Sequence, residues 1–181
     1  MTQDKMVERV LITEEQIAQK VKELGQQISS DYEGKEIALL CVLKGAVVFA
    51  TDLMRAIDCP VSLNFMCLSS YAGGTESSGK VKITKDLDFP VTGKHVLIAE
   101  DVIDSGNTLK FLLGYLKDQG ALSVEICSIF DKPSRRKVEI EVKYTGFEIP
   151  DEFVIGYGLD YAEKFRNLPY LGVLKREVYE K

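Results

Sequence analysis

The sequence has little histidine, and its cysteines show none of the spacings typical of a metal site. The single histidine, His95, begins an apolar stretch and has no second ligand at a motif spacing. The four cysteines are Cys41, Cys59, Cys67 and Cys127, and no two of them form a C-x-x-C pair. Cys41 and Cys127 lie inside apolar runs. We therefore predict a structural histidine and buried free thiols rather than a metal or redox centre.

Long apolar runs and an excess of positive charge are also absent. No run of about 18 apolar residues is present, so no transmembrane helix is expected. The opening stretch MTQDKMVERV is polar and lacks the apolar segment of a signal peptide. With 23 Lys and Arg against 28 Asp and Glu, the net charge is −5, so any anion must be bound at a local site. We expect a cytoplasmic protein with neither a membrane nor a nucleic acid as a partner.

The chain has 181 residues, of which 45% are hydrophobic, which is enough for one soluble domain with a core. Short apolar runs typical of buried strands alternate with segments of helical periodicity. Helices are predicted over 14–29, 45–57 and 108–119, and strands over 36–43, 61–68, 95–99, 124–130, 138–144 and 153–157. This order predicts an α/β fold with three layers, in which a mostly parallel sheet has helices on both faces.

The segment SSYAGGTESSGK, residues 69–80, is rich in glycine and serine and has no apolar period. This composition predicts a mobile loop. A segment of this length without secondary structure within a compact domain is more often a functional loop than a simple connection. Its large side chain, Tyr71, follows the hydroxyl pair Ser69 and Ser70.

The segment VLIAEDVIDSGNTL, residues 96–109, joins an apolar strand to a cluster of acidic and hydroxyl side chains. An apolar strand leads into Glu100, Asp101 and Asp104, and a turn of small residues, 105–108, then begins a helix. Ligands of open α/β sheets bind beyond the carboxyl ends of the strands. The turn and the helix N-terminus offer donors to a phosphate, whereas the carboxylates accept hydroxyls, a metal or a proton. A sugar phosphate with free hydroxyls would use both sets of groups.

Two other interpretations of these acids compete. They could be residues that the helix dipole favours at an N-terminus, but Glu100 and Asp101 follow the apolar strand without a break. They could instead hold a metal for phosphoryl transfer, as in phosphatases with an Asp-x-Asp motif. Such a motif is expected near the first strand, and this sequence has none there. The sugar-phosphate interpretation is therefore favoured.

The stretch EDVIDSGNT, residues 100–108, resembles the phosphoribosyl-diphosphate motif of the type I phosphoribosyltransferases. Further segments resemble the hypoxanthine-guanine branch of that family in the same order along the chain. They are Leu43–Ala46, Ser69–Tyr71, Asp131–Pro133, Gly146–Asp160 and Phe165–Arg166. The resemblance implies one domain over 1–181, with a core over about 35–145 and a small hood from about 1–20 and 146–181.

The resemblance implies a magnesium-dependent transfer of a phosphoribosyl group to a 6-oxopurine, either hypoxanthine or guanine. Asp104 resembles the general base that faces N7 of the purine. Glu100 and Asp101 resemble the pair that contacts the ribose hydroxyls and Mg²⁺. Asp160 resembles a residue near a second metal position and the 2-amino group of the purine.

Recognition of the purine is assigned by the same resemblance. Lys132 resembles the lysine that donates to the 6-oxo group, and an ammonium there would reject a 6-amino purine. Phe153 resembles the residue that stacks on the base, and Val154 resembles the residue that contacts the ring edge through its backbone.

The remaining site residues bind phosphate groups or close over them. Arg166 and the backbone of Lys44 and Gly45 resemble the diphosphate binders, and the peptide bond before Lys44 is expected to be cis. The predicted substrate-binding set is completed by Ser70 and Tyr71 of the closing loop and by Ser105, Gly106, Asn107 and Thr108 of the phosphate turn.

Other functions fit this sequence less well. A regulator with this fold that binds nucleic acid would need a basic face or an added module, and the isoelectric point here is about 5.1. An adenine-preferring transferase is not expected to place Lys132 against the 6-position. The residues favour neither hypoxanthine nor guanine and leave xanthine open. The family resemblance suggests phosphoribosyl diphosphate and a 6-oxopurine as partners, and a homodimer or homotetramer as the assembly.

Overall fold

The computed structural model describes residues 3–70 and 81–180. The helices are α1 (Glu14–Asp31), α2 (Val47–Ala56), α3 (Asn107–Asp118) and α4 (Arg176–Tyr179). The strands are β1 (Val7–Ile12), β2 (Ile37–Leu43), β3 (Val61–Ser70), β4 (Val81–Lys85), β5 (His95–Ile103), β6 (Ser123–Asp131), β7 (Tyr144–Glu148), β8 (Val154–Ile155) and β9 (Leu171–Leu174).

The larger sheet has the strand order β4-β3-β2-β5-β6-β7. Every neighbouring pair from β3 to β7 is parallel, and only the edge strand β4 runs antiparallel to its neighbour β3. The predicted mostly parallel sheet is confirmed. Because strands β2, β5 and β6 are adjacent and parallel, the residues that follow them meet at one edge of the sheet.

Helices cover both faces of this sheet, which gives the three predicted layers. On β5, Leu97 and Ala99 pack into the core cluster of α1 and α2, whereas Val96 and Ile98 pack into the cluster of α3. Successive side chains of a strand point to opposite faces, so a strand covered on both faces is apolar throughout. This explains the continuous apolar runs in the sequence.

Helix α1 begins as predicted. The Thr13 hydroxyl accepts a hydrogen bond from the backbone N–H of Gln16, and the Gln16 side chain accepts one from the backbone N–H of Thr13. This capping box satisfies two backbone donors that have no partner within the helix. Ile17, Val21 and Ile28 then face the core.

Some predicted elements were wrong in position or type. Residues 138–143 are not in a strand, and β7 begins only at Tyr144. Ser69 and Ser70, predicted in the loop, pair with β4 at the end of β3. The last predicted strand, 153–157, is reduced to Val154–Ile155.

A smaller antiparallel sheet with the order β1-β9-β8 joins the N-terminal segment to the C-terminal one. Its own apolar cluster contains Ile155, Phe165, Leu168 and Leu174. The division of the chain into a core over about 35–145 and a hood over about 1–20 and 146–181 stays a prediction. Within the described residues, no helix has the length and apolarity needed to span a membrane.

Candidate active site

The predicted site residues follow three adjacent parallel strands. Lys44 and Gly45 come directly after β2, Asp104 comes after β5, and Lys132 comes after β6. Strand β5 continues four residues beyond its predicted end at Ala99, to Ile103. Its carboxylates therefore have fixed backbone positions at the edge of the sheet where ligands of such folds bind.

Glu100 and Asp101 are half-buried carboxylates on consecutive residues of β5. Burial, and then the neighbouring charge of Asp101, raise the pKa of Glu100 well above its usual value. Burial also raises the pKa of Asp101 to about 6, although the backbone N–H of Val102 donates to its Oδ1 at 2.7 Å and opposes the shift. Among the described atoms, Glu100 Oε2 is buried without a hydrogen-bond partner.

These features suit a divalent cation at the sheet edge. A buried carboxylate oxygen without a donor, beside a second carboxylate, is stabilised by a hard cation that prefers oxygen ligands. No group of three or more acidic, histidine or cysteine side chains that could hold an ion occurs within residues 3–70 and 81–180. Magnesium would fit that pattern, because it usually binds one or two carboxylates together with water and substrate oxygens.

Gly45 lies against Asp101 of this carboxylate pair. A Cβ atom at Gly45 would overlap Oδ2 of Asp101, and a Cβ at Gly158 would overlap the carbonyl oxygen of Gly45. Both positions therefore need glycine so that the end of β2, the end of β5 and the turn at 158 can approach closely. The peptide bond between Leu43 and Lys44 is cis, as predicted.

The turn at residues 105–108 forms the start of α3, as predicted. Gly106 is the N-cap of the helix and has a left-handed φ of 81°. A Cβ there would also lie 3.1 Å from Val138 and 3.2 Å from Ile140. The backbone N–H of Asn107 donates to the Ser105 hydroxyl at 3.4 Å. The free N–H groups of a helix N-terminus favour an anion beside this turn.

A cavity of about 520 Å³ opens beside the turn, next to Asp104 and Lys132. Its lining consists of Val102, Asp104, Lys132, Arg135, Asp151, Glu152, Phe153, Val154, Leu159 and Asp160. We call it the central cavity. The structure thus brings the predicted base and the predicted purine-contacting residues together in one space.

Lys132 and Asp104 present opposite charges to the central cavity. Lys132 is only 8% exposed, and its ammonium donates to the carbonyl oxygen of Glu152 at 2.9 Å. The distance from Lys132 Nζ to Asp104 Oδ1 is 3.9 Å, and half of the Asp104 side chain is exposed. A lysine donor held by Glu152 and a carboxylate acceptor therefore line the same cavity.

Phe153 forms one wall of the central cavity. Phe153 is 38% exposed, and its ring stacks on Tyr179 of α4, with ring centroids 4.8 Å apart. Tyr161 meets the same ring edge-on at 5.6 Å. Val154, the next residue, pairs with Val173 of β9. The smaller sheet therefore holds the aromatic wall over the end of the larger one.

Asp160, which lines the central cavity, forms an ion pair with Arg166. Arg166 approaches Asp160 Oδ1 at 2.8 Å and donates to the carbonyl oxygen of Gly158 at 2.9 Å. The remaining oxygen of Asp160 accepts from the backbone N–H of Glu163. The structure thus places Asp160 beside Arg166 rather than in one cluster with Glu100 and Asp101.

The turn that carries Gly158 is anchored to helix α2. Tyr157 is buried, and its hydroxyl donates to Asp52 Oδ2 of α2 at 2.8 Å. Gly156 and Gly158 both have a left-handed φ, and a Cβ at Gly156 would overlap the backbone of Tyr170. The Gly-Tyr-Gly sequence is therefore a tight turn at the site.

Arg135 and Arg136 were not among the predicted site residues. Arg135 approaches Asp104 Oδ1 at 3.7 Å and Asp151 Oδ1 at 3.1 Å. Arg136 is instead half-buried and paired with Asp131. A basic run gives no signal that separates these two roles.

Val102 was also missed, and it lines the central cavity between the acids of the motif. Of the predicted loop residues, Ser70 ends β3, whereas Tyr71 and residues 71–80 lie outside the described part of the chain.

Comparisons with known proteins agree with this geometry. A family model described as a phosphoribosyl transferase domain matches residues 11–162. The hypoxanthine-guanine phosphoribosyltransferase of Streptococcus thermophilus (strain CNRZ 1066) is 51% identical over 178 residues, which are 98% of this chain and 99% of that protein. That of Bacillus subtilis (strain 168) is 52% identical over 174 residues, covering 96% of this chain and 97% of the relative.

A solved structure shows the same likeness in three dimensions. The crystal structure of a hypoxanthine phosphoribosyltransferase from Staphylococcus aureus has a TM-score of 0.96 and 49% identity, and the match covers 100% of this chain and 98% of that one. Likeness of both sequence and fold over nearly the full length shows the family. This chain belongs to the phosphoribosyltransferase family.

Proposed function

We propose that the protein transfers the 5-phosphoribosyl group of phosphoribosyl diphosphate to hypoxanthine or guanine, giving IMP or GMP and diphosphate. One observation carries the proposal. The buried ammonium of Lys132 and the carboxylate of Asp104 face the same cavity, 3.9 Å apart, at the carboxyl edge of a parallel sheet. A 6-oxopurine has an acceptor at the 6-position and an N7 proton on the same edge of the ring, which is complementary to this pair.

The purine would be held by three kinds of contact. Lys132 would donate to the 6-oxo group, and Phe153 would stack on one face of the ring. Asp104 would accept the N7 proton as purine N9 bonds to C1 of the ribose and the bond from C1 to the diphosphate oxygen breaks. The electron pair of that bond leaves with diphosphate, and the proton stays on Asp104.

The sugar phosphate would occupy the remaining edge of the site. The N–H groups and hydroxyls of Ser105, Gly106, Asn107 and Thr108 suit a phosphate group. Glu100 and Asp101 would contact ribose hydroxyls and magnesium, and Asp160 would lie near a second metal position. When bound, the metal would offset the charge of the diphosphate.

The diphosphate would lie between β2 and the turn at Gly158. The backbone of Lys44 and Gly45 borders this region, and Arg166 supplies a guanidinium that could bind two phosphate oxygens in parallel. Ser70 and Tyr71 would close over it during the reaction. We also propose that the protein forms a homodimer or homotetramer in the cytoplasm.

The direct test is product formation by the purified protein. We expect hypoxanthine and phosphoribosyl diphosphate with Mg²⁺ to give IMP and diphosphate in equal amounts, measured by ion-exchange chromatography. Excess EDTA should abolish turnover, and added Mg²⁺ should restore it, because the charge of the diphosphate is uncompensated without a cation. Hydrolysis of phosphoribosyl diphosphate without nucleotide formation would contradict the proposal.

A further inference from the structure

The turn at residues 161–164 has an unusual backbone for its sequence. Tyr161 and Lys164 exchange two backbone hydrogen bonds of 3.1 Å, and the residues between them, Ala162 and Glu163, have φ values of 51° and 62°. Tight turns with two left-handed residues favour glycine and asparagine. Alanine and glutamate are disfavoured there, and such strain often persists where a side chain has a functional position.

The strained turn places the Glu163 carboxylate on two cations. Glu163 Oε2 lies 2.9 Å from Lys44 Nζ and 3.5 Å from a guanidinium nitrogen of Arg166. The hydrogen bond and charge of Lys44 lower the pKa of Glu163, so the carboxylate is anionic at neutral pH. The backbone N–H of Glu163 also donates to Asp160 Oδ2 at 2.9 Å, which ties the turn to the site.

The Arg166 guanidinium and the backbone of Lys44 are assigned to diphosphate under the proposed function, on which this inference rests. The Lys44 ammonium is a second cation beside Arg166, because the same Glu163 oxygen contacts both. Lys44 and Arg166 come from distant parts of the chain, and one Glu163 oxygen bridges them. A phosphate oxygen of an incoming diphosphate would need the same donors. Arg166 also pairs with Asp160 at 2.8 Å and retains only 24% side-chain exposure, so a diphosphate oxygen has little room at the guanidinium while Glu163 stays there.

We infer that Glu163 is an internal anion that occupies the Lys44 and Arg166 cations at the diphosphate region of the free enzyme and is displaced when phosphoribosyl diphosphate or diphosphate binds. The residue then lowers affinity for the diphosphate group and speeds the release of diphosphate. It does not contact the purine, so purine affinity is set separately by the central cavity.

The expected effect is moderate because Lys44 and Glu163 are both well exposed, at 63% and 66% of their side chains. Solvent and salt screen such pairs, and each alters an equilibrium by about 1.5- to 5-fold. Glu163→Gln removes both pairs and should tighten magnesium diphosphate binding by about 2- to 10-fold. Because the repelled ligand is multiply charged, the gain should shrink as the salt concentration rises.

The experiment is calorimetric titration of magnesium diphosphate into wild type, Glu163→Gln, Lys44→Gln and the double variant. Glu163→Gly is a second test, because glycine suits the left-handed φ and relieves any strain while removing the carboxylate. Glu33→Gln is the matched control, since Glu33 is an exposed glutamate near the N-terminal end of β2, at the opposite edge of the sheet. Thermal unfolding of each variant reports whether the turn serves only stability.

We expect both Glu163 variants to bind magnesium diphosphate more tightly and Glu33→Gln to keep the wild-type Kd. When Lys44 is already neutral, Glu163→Gln should give a smaller gain in affinity. If Lys44→Gln weakens binding but neither Glu163 variant tightens it, Glu163 is not a competing anion. If wild type does not bind magnesium diphosphate at all, the proposed location of the diphosphate is wrong, and this inference fails with it.

Discussion

Asp104→Asn is expected to lower kcat by about 10²–10⁴-fold, the usual loss when a general base is removed. Asparagine has nearly the shape of aspartate, and half of the Asp104 side chain is exposed, so the variant should fold normally. Its amide cannot accept the N7 proton when N9 attacks, whereas contacts to the nucleotide product change little. Steady-state turnover and IMP affinity, measured on the same preparation, separate these two effects.

A matched control is Asp118→Asn at the C-terminal end of α3, which makes the same chemical change in an exposed residue. It lies 11 residues from Asn107, the first helical residue at the site, which is about 16 Å along the helix axis. Its turnover should match that of wild type. An Asp104→Asn enzyme whose kcat stays within about threefold of wild type would rule out the base role.

Lys132→Ala is expected to lower kcat/KM for hypoxanthine by about 10- to 100-fold, which is the worth of one hydrogen bond to a charged group. The same change should leave the affinity for phosphoribosyl diphosphate nearly unaltered, because the ammonium lies in the central cavity and donates to Glu152 rather than to the diphosphate region. Kinetics with each substrate varied in turn measure both quantities.

Because Lys132 is only 8% exposed, alanine also removes buried stem atoms. Lys132→Met retains most of the stem without the charge, so it isolates the ammonium. We expect Lys132→Met to lose nearly as much activity towards hypoxanthine as Lys132→Ala. If the variants lost affinity for hypoxanthine and for phosphoribosyl diphosphate equally, the ammonium would not be a specific contact to the purine.

The parts of the fold that sequence predicted well depend on local signals. Strands β2 and β5 are apolar on both faces because helices cover both, and the capping box at Thr13 identifies the start of α1. The acidic motif and the small-residue turn after β5 were enough to locate the site, since the carboxyl ends of parallel strands meet at one edge.

The errors came from contacts between distant residues. Residues 138–142 alternate in burial like a strand, but Val138 and Ile140 pack over Gly106 at the start of α3 rather than in the sheet. Strand β1 was missed because its partner β9 lies far along the chain, where Val7 pairs with Leu174. Its middle residues are exposed, so its own pattern carries no strand signal.

The site residues that directly follow a strand could be predicted from the sequence. The contacts between residues that lie far apart in the sequence could not. Arg135 reaches Asp104 only because the chain turns back after β6. Glu163 reaches Lys44 across 119 positions of sequence, through a turn whose backbone its residues do not favour. No local pattern indicates either contact.

The most direct test of the central claim is the initial rate of nucleotide formation with hypoxanthine, guanine and adenine, each with phosphoribosyl diphosphate and Mg²⁺. A fixed ammonium at Lys132 accepts a 6-oxo group and faces a second donor when the base carries a 6-amino group. We expect IMP and GMP to form and kcat/KM for adenine to be at least about 10³-fold lower, as for sites built around a buried polar group. AMP formation at a rate comparable to that of IMP would contradict the account.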